Sequence, residues 1–257
     1  MRLGLISDIH GNSVALDAVV ADGRDAGVEQ WWALGDLVAI GPDPVGTIER
    51  LRSLPGFAAL AGNTERYVLT TDRPGPTAED VARDPSLLEL FSVVAASFAW
   101  TRGALAATGW LDWLGQLPSE LRLTLPDGTR LLGVHASPGR DDGPGITRDA
   151  SDDDLQTLLA GAEADLVCGG HTHRPVDRRV GAVRAVNLGS VSNPVEGDHR
   201  ASYVVLSADR HGASVEHRRV SYDVDRFVRF VEASSHPSAD YIAGLQRGED
   251  PGVPSRR

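Results

Sequence analysis

The sequence predicts an α/β fold, and three observations carry that prediction. Apolar runs alternate with stretches of helical periodicity through the first 65 residues, the pattern of parallel strands joined by crossover helices. Each apolar run stops at a small residue followed by a polar one. Beyond residue 118 the pattern shortens to that of strands and hairpins.

Taken in order, residues 3–6 read as a buried strand, a short apolar run halted at Asp8, His10 and Gly11. Asn12 or Ser13 can cap a helix in which Val14, Leu16, Ala18 and Val19 recur at helical spacing up to Gly27. "EQWWALGDLV" supplies a second strand that ends in Gly35 and Asp36, with Trp31 and Trp32 as core residues. The Pro-rich turn "GPDP" starts a helix over 45–54, and "GFAALAGNTER" supplies a third strand ending in Gly62 and Asn63. Residues 72–86, rich in Pro, Asp and Thr, read as a surface loop. Residues 87–114 read as one or two helices, so that about 68–118 forms a helical cap beside the sheet edge, with Trp100, Trp110 and Trp113 as packing residues.

"LRLTLPDGTRLLGVHAS" then places two strands about a Pro-Asp-Gly turn. A helix over 151–162, a strand in "ADLVCGG" and hairpins in "VDRRVGAVRAVNLGS" and "SYVVLSADRHGASVEHRRV" follow, with an amphipathic helix over 222–233. One domain is expected over 1–233. Residues 234–257 are expected to be a partly flexible extension, fraying at "QRGEDPGVPSRR" without chemistry of its own.

Composition limits the function. No apolar stretch is read as long enough to cross a bilayer, and the first strand begins at Leu3 without a basic leader, so a soluble, cytoplasmic protein is expected. The single cysteine, Cys168, excludes an internal disulfide framework and reads as a buried strand residue. With Lys+Arg at 25 against Asp+Glu at 36, the net charge of −11 argues against a membrane surface or extended nucleic acid as partner. Every one of the 25 is arginine, so any side chain that grips a phosphate is a guanidinium fork or an imidazole.

The strand ends carry the chemistry: Asp8-Ile9-His10, Gly35-Asp36, Gly62-Asn63, Gly133-Val134-His135 and Gly169-Gly170-His171-Thr172-His173. In an extended segment alternate side chains project to one side, so Asp8 with His10, and His171 with His173, can each face one point. Two carboxylates, one amide oxygen and four imidazoles are too many for one tetrahedral zinc, and they suit two divalent metal ions with a water between them. Carboxylate and imidazole content favours Mn²⁺, with Fe, Zn, Ni or Mg as alternatives.

The ordered series Asp-x-His, Gly-Asp, Gly-Asn, Gly-x-His and Gly-His-x-His resembles the calcineurin-like metallophosphoesterases, and within them the small bacterial and archaeal phosphodiesterases. The resemblance spans residues 3 to about 222. It implies a four-layered α/β/β/α sandwich of two mixed β-sheets with a helical insertion. Asp8, His10 and His173 would hold one metal, Asn63, His135 and His171 the other, and Asp36 would bridge them. Gly11, Gly35, Gly62 and Gly170 would let these ligands converge. The implied activity is hydrolysis of a phosphodiester, a nucleotide or a small phosphomonoester by attack of a metal-bridging hydroxide, with Asp36 and Asn63 as catalytic residues.

One position departs from that pattern. Many relatives have a histidine after the asparagine, whereas this chain has Thr64, whose hydroxyl does not titrate near neutral pH. A substrate with a good leaving group depends less on that proton donor. The departure also leaves an alternative, a catalytically silent metal-binding scaffold of the same fold that acts through a protein partner. Asn63, Thr64 and Arg140 are the candidates for contact with a small phosphorylated substrate. Arg140, in "HASPGRDDGPG", either forks onto phosphate or pairs with Asp141 or Asp142. Glu65 either orients a ligand or pairs with Arg66. Asp17 and Asp43 read as ordinary carboxylates, and His199, His211, His217 and His236 as solvated or structural.

Overall fold

β1 (Arg2–Ile6), β2 (Gln30–Leu34) and β3 (Ala58–Leu60) run parallel, and their unbroken apolar character follows from being covered on both faces. Leu3, Leu5, Trp32, Leu34 and Leu60 point into a core shared with a second sheet, while Ile6, Trp31, Ala33 and Ala59 point outward beneath helices. The computed structural model describes residues 1–193 and 197–247. α1 (Ser13–Asp25) and α2 (Pro44–Arg52) make the crossovers. Asn12 starts α1 by accepting the Ala15 N–H, and Asp43 starts α2 by accepting that of Gly46, with Pro44 in the first turn. The hairpin of β9 (Ala201–Asp209) and β10 (Gly212–Val220) adds antiparallel to β1, giving the order β10-β9-β1-β2-β3.

The second sheet has β4 (Leu121–Thr124), β5 (Arg130–Gly133), β6 (Leu166–Gly169), β7 (Val176–Val180) and β8 (Val183–Asn187) in the order β4-β5-β6-β8-β7. Its three central strands are parallel and its two edges antiparallel, so both sheets are mixed. Leu131, Leu166, Cys168 and Val186 face the first sheet; Leu132, Val134, Val167 and Ala185 face away, under Leu158 and Leu159 at the end of α7 (Asp152–Leu158). The result is helix, sheet, sheet, helix in layers, as expected.

The region expected as a cap contains α4 (Ala78–Arg83), α5 (Leu88–Thr108) and α6 (Leu111–Gly115). α5 lies along α2 and α3 (Asn63–Leu69), where Phe98 meets the Tyr67 ring edge-on at 5.5 Å. The expectation of no bilayer-length apolar stretch needs correction: 85–108 is long and apolar enough to span one by length and composition. Its apolarity is spread over alanine, valine and aromatic residues among serines and threonines, which hid it as a run. Ser97, Phe98, Thr101 and Leu105 are the residues of α5 that are buried.

α8 (Val224–Ala233) is followed by a helix the sequence did not suggest, α9 (Ala239–Gln246). Ile242 and Ala243 pack with Phe227, Val228 and Val231 on Val14 of α1, so this part of the extension is folded against the domain. The fraying expected at the terminus falls on 248–257, outside the described residues.

Candidate functional site

All seven donors expected from the sequence meet at the carboxyl ends of the strands. Asp8 and His10 follow β1, Asp36 follows β2, Asn63 opens α3, His135 follows β5, and His171 and His173 follow β6. Asp8, His10, Asp36 and His135 are buried, whereas Asn63, His171 and His173 are half-buried and form the open side of the cluster.

Five of the seven hold left-handed backbone angles: Asp8 at φ +55°, His10 at +48°, Asp36 at +54°, His171 at +69° and His173 at +59°. An L-residue there costs roughly 1–2 kcal/mol, and such strain persists only where its surroundings over-determine it. Here backbone bonds knit the loops together. The Asp8 N–H donates to the Gly35 carbonyl at 3.1 Å and that of His10 to the Asp36 carbonyl at 3.0 Å, while the Ser190 hydroxyl donates to the Asp8 carbonyl at 2.9 Å. The glycines act by two routes. Gly11 and Gly35 also take positive φ, but Gly62 and Gly170 do not; a Cβ at Gly62 would strike Asp36 Oδ1, and one at Gly170 would strike Asp8 Oδ2.

The donor atoms divide into two sets around Asp36. In one, His173 Nε2 lies 3.1 Å from Asp8 Oδ1, and His10 Nε2 lies 3.3 Å from His173 Nε2 and 3.8 Å from Asp36 Oδ2. In the other, His135 Nε2 lies 3.3 Å from Asp36 Oδ1 and 2.9 Å from Asn63 Oδ1, and His171 Nδ1 lies 3.1 Å from that same amide oxygen. One carboxylate thus turns an oxygen to each set.

Every imidazole is held through its other nitrogen by a backbone carbonyl. His10 Nδ1 faces Ala39 at 3.2 Å, His135 Nδ1 faces Leu34 at 2.8 Å, His173 Nδ1 faces Asn193 at 2.8 Å, and His171 Nε2 faces Gly143 at 2.9 Å. A carbonyl oxygen only accepts, so each of these nitrogens carries the hydrogen and its partner turns a lone pair inward. Lone pairs at His10 and His173 then face one another, and His135 faces two oxygens. Such a pocket requires a cation at its centre, a proton or a metal. Backbone carbonyls that fix the tautomer in this way are the usual companions of metal-ligating histidines, and an all-nitrogen-and-oxygen set without sulfur suits divalent metal ions.

The electrostatics agree. Burial pushes His135 down, but Asp36 and Asp8 outweigh it and raise it to about 10; His173 is likewise raised, against burial, by Asp8. Burial lowers His10 more than the carboxylates restore. Asp36 and Asp8 are held below the usual carboxylate range because the surrounding imidazoles overcome the cost of burial.

Two residues beside Asn63 have partners that the sequence did not disclose. Thr64 is buried, and both its N–H and its hydroxyl donate to Asp36 Oδ1, at 3.0 and 2.9 Å; it faces the carboxylate that the two donor sets share. Glu65 is fully buried and accepts the N–H groups of Asp36, Leu37 and Gly62, each at 2.8 Å, rather than pairing with Arg66. Burial and the Asp36 charge push its carboxyl up to about 7 despite those three donors. Arg66 reaches instead to Asp141 at 2.7 Å, Asp72 at 2.9 Å and Asp142 at 3.5 Å, and the Tyr67 hydroxyl donates to Asp142 at 2.8 Å. Asp141 and Asp142 are therefore spent on α3. Arg140 is exposed on the turn closed by its backbone bonds to Ser137, with no ion pair among the described residues.

Comparison with known proteins agrees with this arrangement. A model of the calcineurin-like phosphoesterase superfamily domain matches residues 1–211. An uncharacterized protein of Methanocaldococcus jannaschii is 27% identical over 240 residues, covering 87% of this chain and 89% of its own. Among solved structures, a metallophosphoesterase from Sphaerobacter thermophilus superposes with a TM-score of 0.72 at 26% identity, over 96% of this chain and 98% of that one. A hypothetical protein from Pyrococcus horikoshii shares the fold with a TM-score of 0.77 at 20% identity, over 95% and 97%. The matched segment contains both sheets, save β10, and every one of the converging donors, and the chain belongs to the calcineurin-like phosphoesterase superfamily.

Proposed function

We propose that the chain is a dinuclear metal-dependent phosphoesterase that hydrolyses a small phosphorylated substrate, with Mn²⁺ as its leading metal. The observation that carries this reading is the division of Asp36, whose Oδ2 faces His10 and whose Oδ1 faces His135. Asp8, His10 and His173 would hold one ion, and Asn63, His135 and His171 the other. Bound there, a pair of divalent ions neutralises phosphoryl oxygens and lowers the pKa of water from 15.7 toward about 7. The chain's own residues do the rest. Thr64 fixes the bridging carboxylate, the backbone carbonyls hold each imidazole in one tautomer, and the half-buried Asn63, His171 and His173 leave a way in for substrate.

The same geometry favours a phosphodiester over a monoester. Thr64 and Glu65 are both buried and committed to Asp36 and its neighbours, so neither is placed to protonate a departing alkoxide. A good leaving group removes that need. Three aspartates share one arginine at the rim, Asp142 lying 3.7 Å from His171, and a diester brings one negative charge to that rim where a monoester brings two. Arg140 is available to fork onto an outer phosphate.

The test is turnover of an aryl phosphodiester by Mn²⁺-loaded protein. Asp36→Asn should lower it by several orders of magnitude, and metal-stripped protein should be inactive until Mn²⁺ is restored. Undiminished activity in either preparation contradicts the reading. Inertness of the loaded protein against a panel of aryl mono- and diesters would favour the silent scaffold.

A further inference from the structure

The family match stops at residue 211, yet the chain returns to the site after that point. Gln246, the last residue of α9, is 4% exposed, and its amide is fully engaged. Its Oε1 accepts the Tyr222 hydroxyl at 2.7 Å; its Nε2 donates to the Ser192 carbonyl at 3.0 Å and to Asn193 Oδ1 at 3.4 Å.

That short loop supports one donor set. The Asn193 carbonyl accepts the hydrogen on His173 Nδ1 at 2.8 Å, the Ser192 N–H donates to the Asp8 carbonyl at 3.2 Å, and Asn12 Nδ2 donates to the Ser192 hydroxyl at 3.2 Å. His135 and His171, in the other set, are tied to Leu34 and Gly143 instead. Among the described residues, Gln246 therefore touches the support of His173 and Asp8 alone.

The geometry points to Gln246 as a positioning residue for the Asp8–His10–His173 set, which makes the carboxyl-terminal extension part of the metal centre. The inference rests on the proposed function, since it concerns how that set holds an ion. Gln246 does not touch the Asn193 carbonyl itself; it pins the Ser192 carbonyl and the Asn193 side chain, and so fixes the residue whose main-chain carbonyl holds the His173 ring in one plane. Loss of such an outer contact typically weakens metal binding by about 10–100-fold.

The experiment uses the full chain and two variants. Gln246→Leu keeps the volume and removes all three polar contacts, and Gln246→Glu keeps the acceptor for Tyr222 but loses the donor. Mn²⁺ affinities come from calorimetric titration, and the hydrogen bond made by the His173 Nδ1–H in metal-free protein from nitrogen-15 spectra. In both variants one of two sites should weaken about 10–100-fold, the other should keep its affinity, and the His173 Nδ1–H should lose its protection from exchange. Equal weakening of both sites, or two unchanged sites with an unchanged Nδ1–H, overturns the inference. Wild-type protein that binds no Mn²⁺ overturns the metal reading, and the metal-free Nδ1–H then still decides whether Gln246 positions His173.

Discussion

Glu65 is a carboxylate whose partners are three backbone N–H groups, two just after β2 and one just after β3, so it clasps the Asp36 loop to the Asn63 turn. Glu65→Ala would strand three buried donors, each costing about 1–3 kcal/mol, and should destabilise the fold by at least about 3 kcal/mol in urea unfolding. Glu65→Gln, which keeps acceptor oxygens but turns an amide toward at least one N–H, should recover part of that loss. A result within about 0.5 kcal/mol of wild type for Glu65→Ala would show that water replaces the carboxylate. The seven donors were legible in the sequence because each ends a strand, and strand ends share one rim. Glu65 was not, because a side chain bonded to main-chain groups 28 and 29 residues away leaves no residue pattern to read. A pairing of Arg66 with Glu65 was one of two readings the sequence left open, and for a similar reason it could not disclose Asp141, 75 residues distant, as the partner. The left-handed angles at Asp8, His10 and Asp36 were equally hidden, since nothing in an aspartate or histidine announces positive φ.

Among the elements, the strands and crossover helices of the amino-terminal half could be read because burial on both faces and helical spacing are written locally. α9 could not. Eight residues with one glycine make a marginal helix alone, and its stability comes from packing against α8 and α1. The link before it, between α8 and α9, has a titratable anchor. His236 is buried against the Trp100 ring of α5, with centroids 4.7 Å apart, and its Nδ1 accepts the Ser238 N–H at 3.1 Å while Nε2 lies 3.4 Å from the Ser97 hydroxyl. An acceptor at Nδ1 requires the neutral ring. Burial alone lowers His236 from 6.5 to about 4. Between those values the unfolded chain binds the proton and the folded one does not, so the contribution is complete above pH 6.5 and is lost as pH falls toward 4. After allowance for solvent screening this amounts to about 1–2 kcal/mol. His236→Phe, which keeps an aromatic face for Trp100, should flatten the difference in unfolding free energy between pH 7 and pH 4.5 by that amount. An unchanged slope would place the acid sensitivity elsewhere.

For the whole molecule, the donor sets join the two sheets. Each draws on both: Asp8, His10 and Asp36 come from the ends of β1 and β2, with His173 from the end of β6, and Asn63 and Asp36 face His135 and His171 from β5 and β6. The apolar core between the sheets, from Leu3 and Trp32 to Val186 and Leu206, resists their separation but specifies little about how one slides on the other. A cation shared by both rims would fix that register, and whatever binds the folded state alone stabilises it by mass action. At a free concentration 100 times its dissociation constant, one ion contributes about 2.7 kcal/mol, which for a chain of this size corresponds to roughly 5–10 °C in Tm. Calorimetry of Mn²⁺-loaded protein against chelator-treated protein should show a shift of that order, restored by Mn²⁺. Asp36→Asn should shrink the shift, because the one carboxylate that serves both sets has lost a charge. If the loaded and stripped proteins melt together, the sheets are held by the core alone and the polar rim carries no ion that matters to the fold. If Asp36→Asn keeps the full shift, the ions bind away from the strand ends, and the division of that carboxylate is a feature of packing.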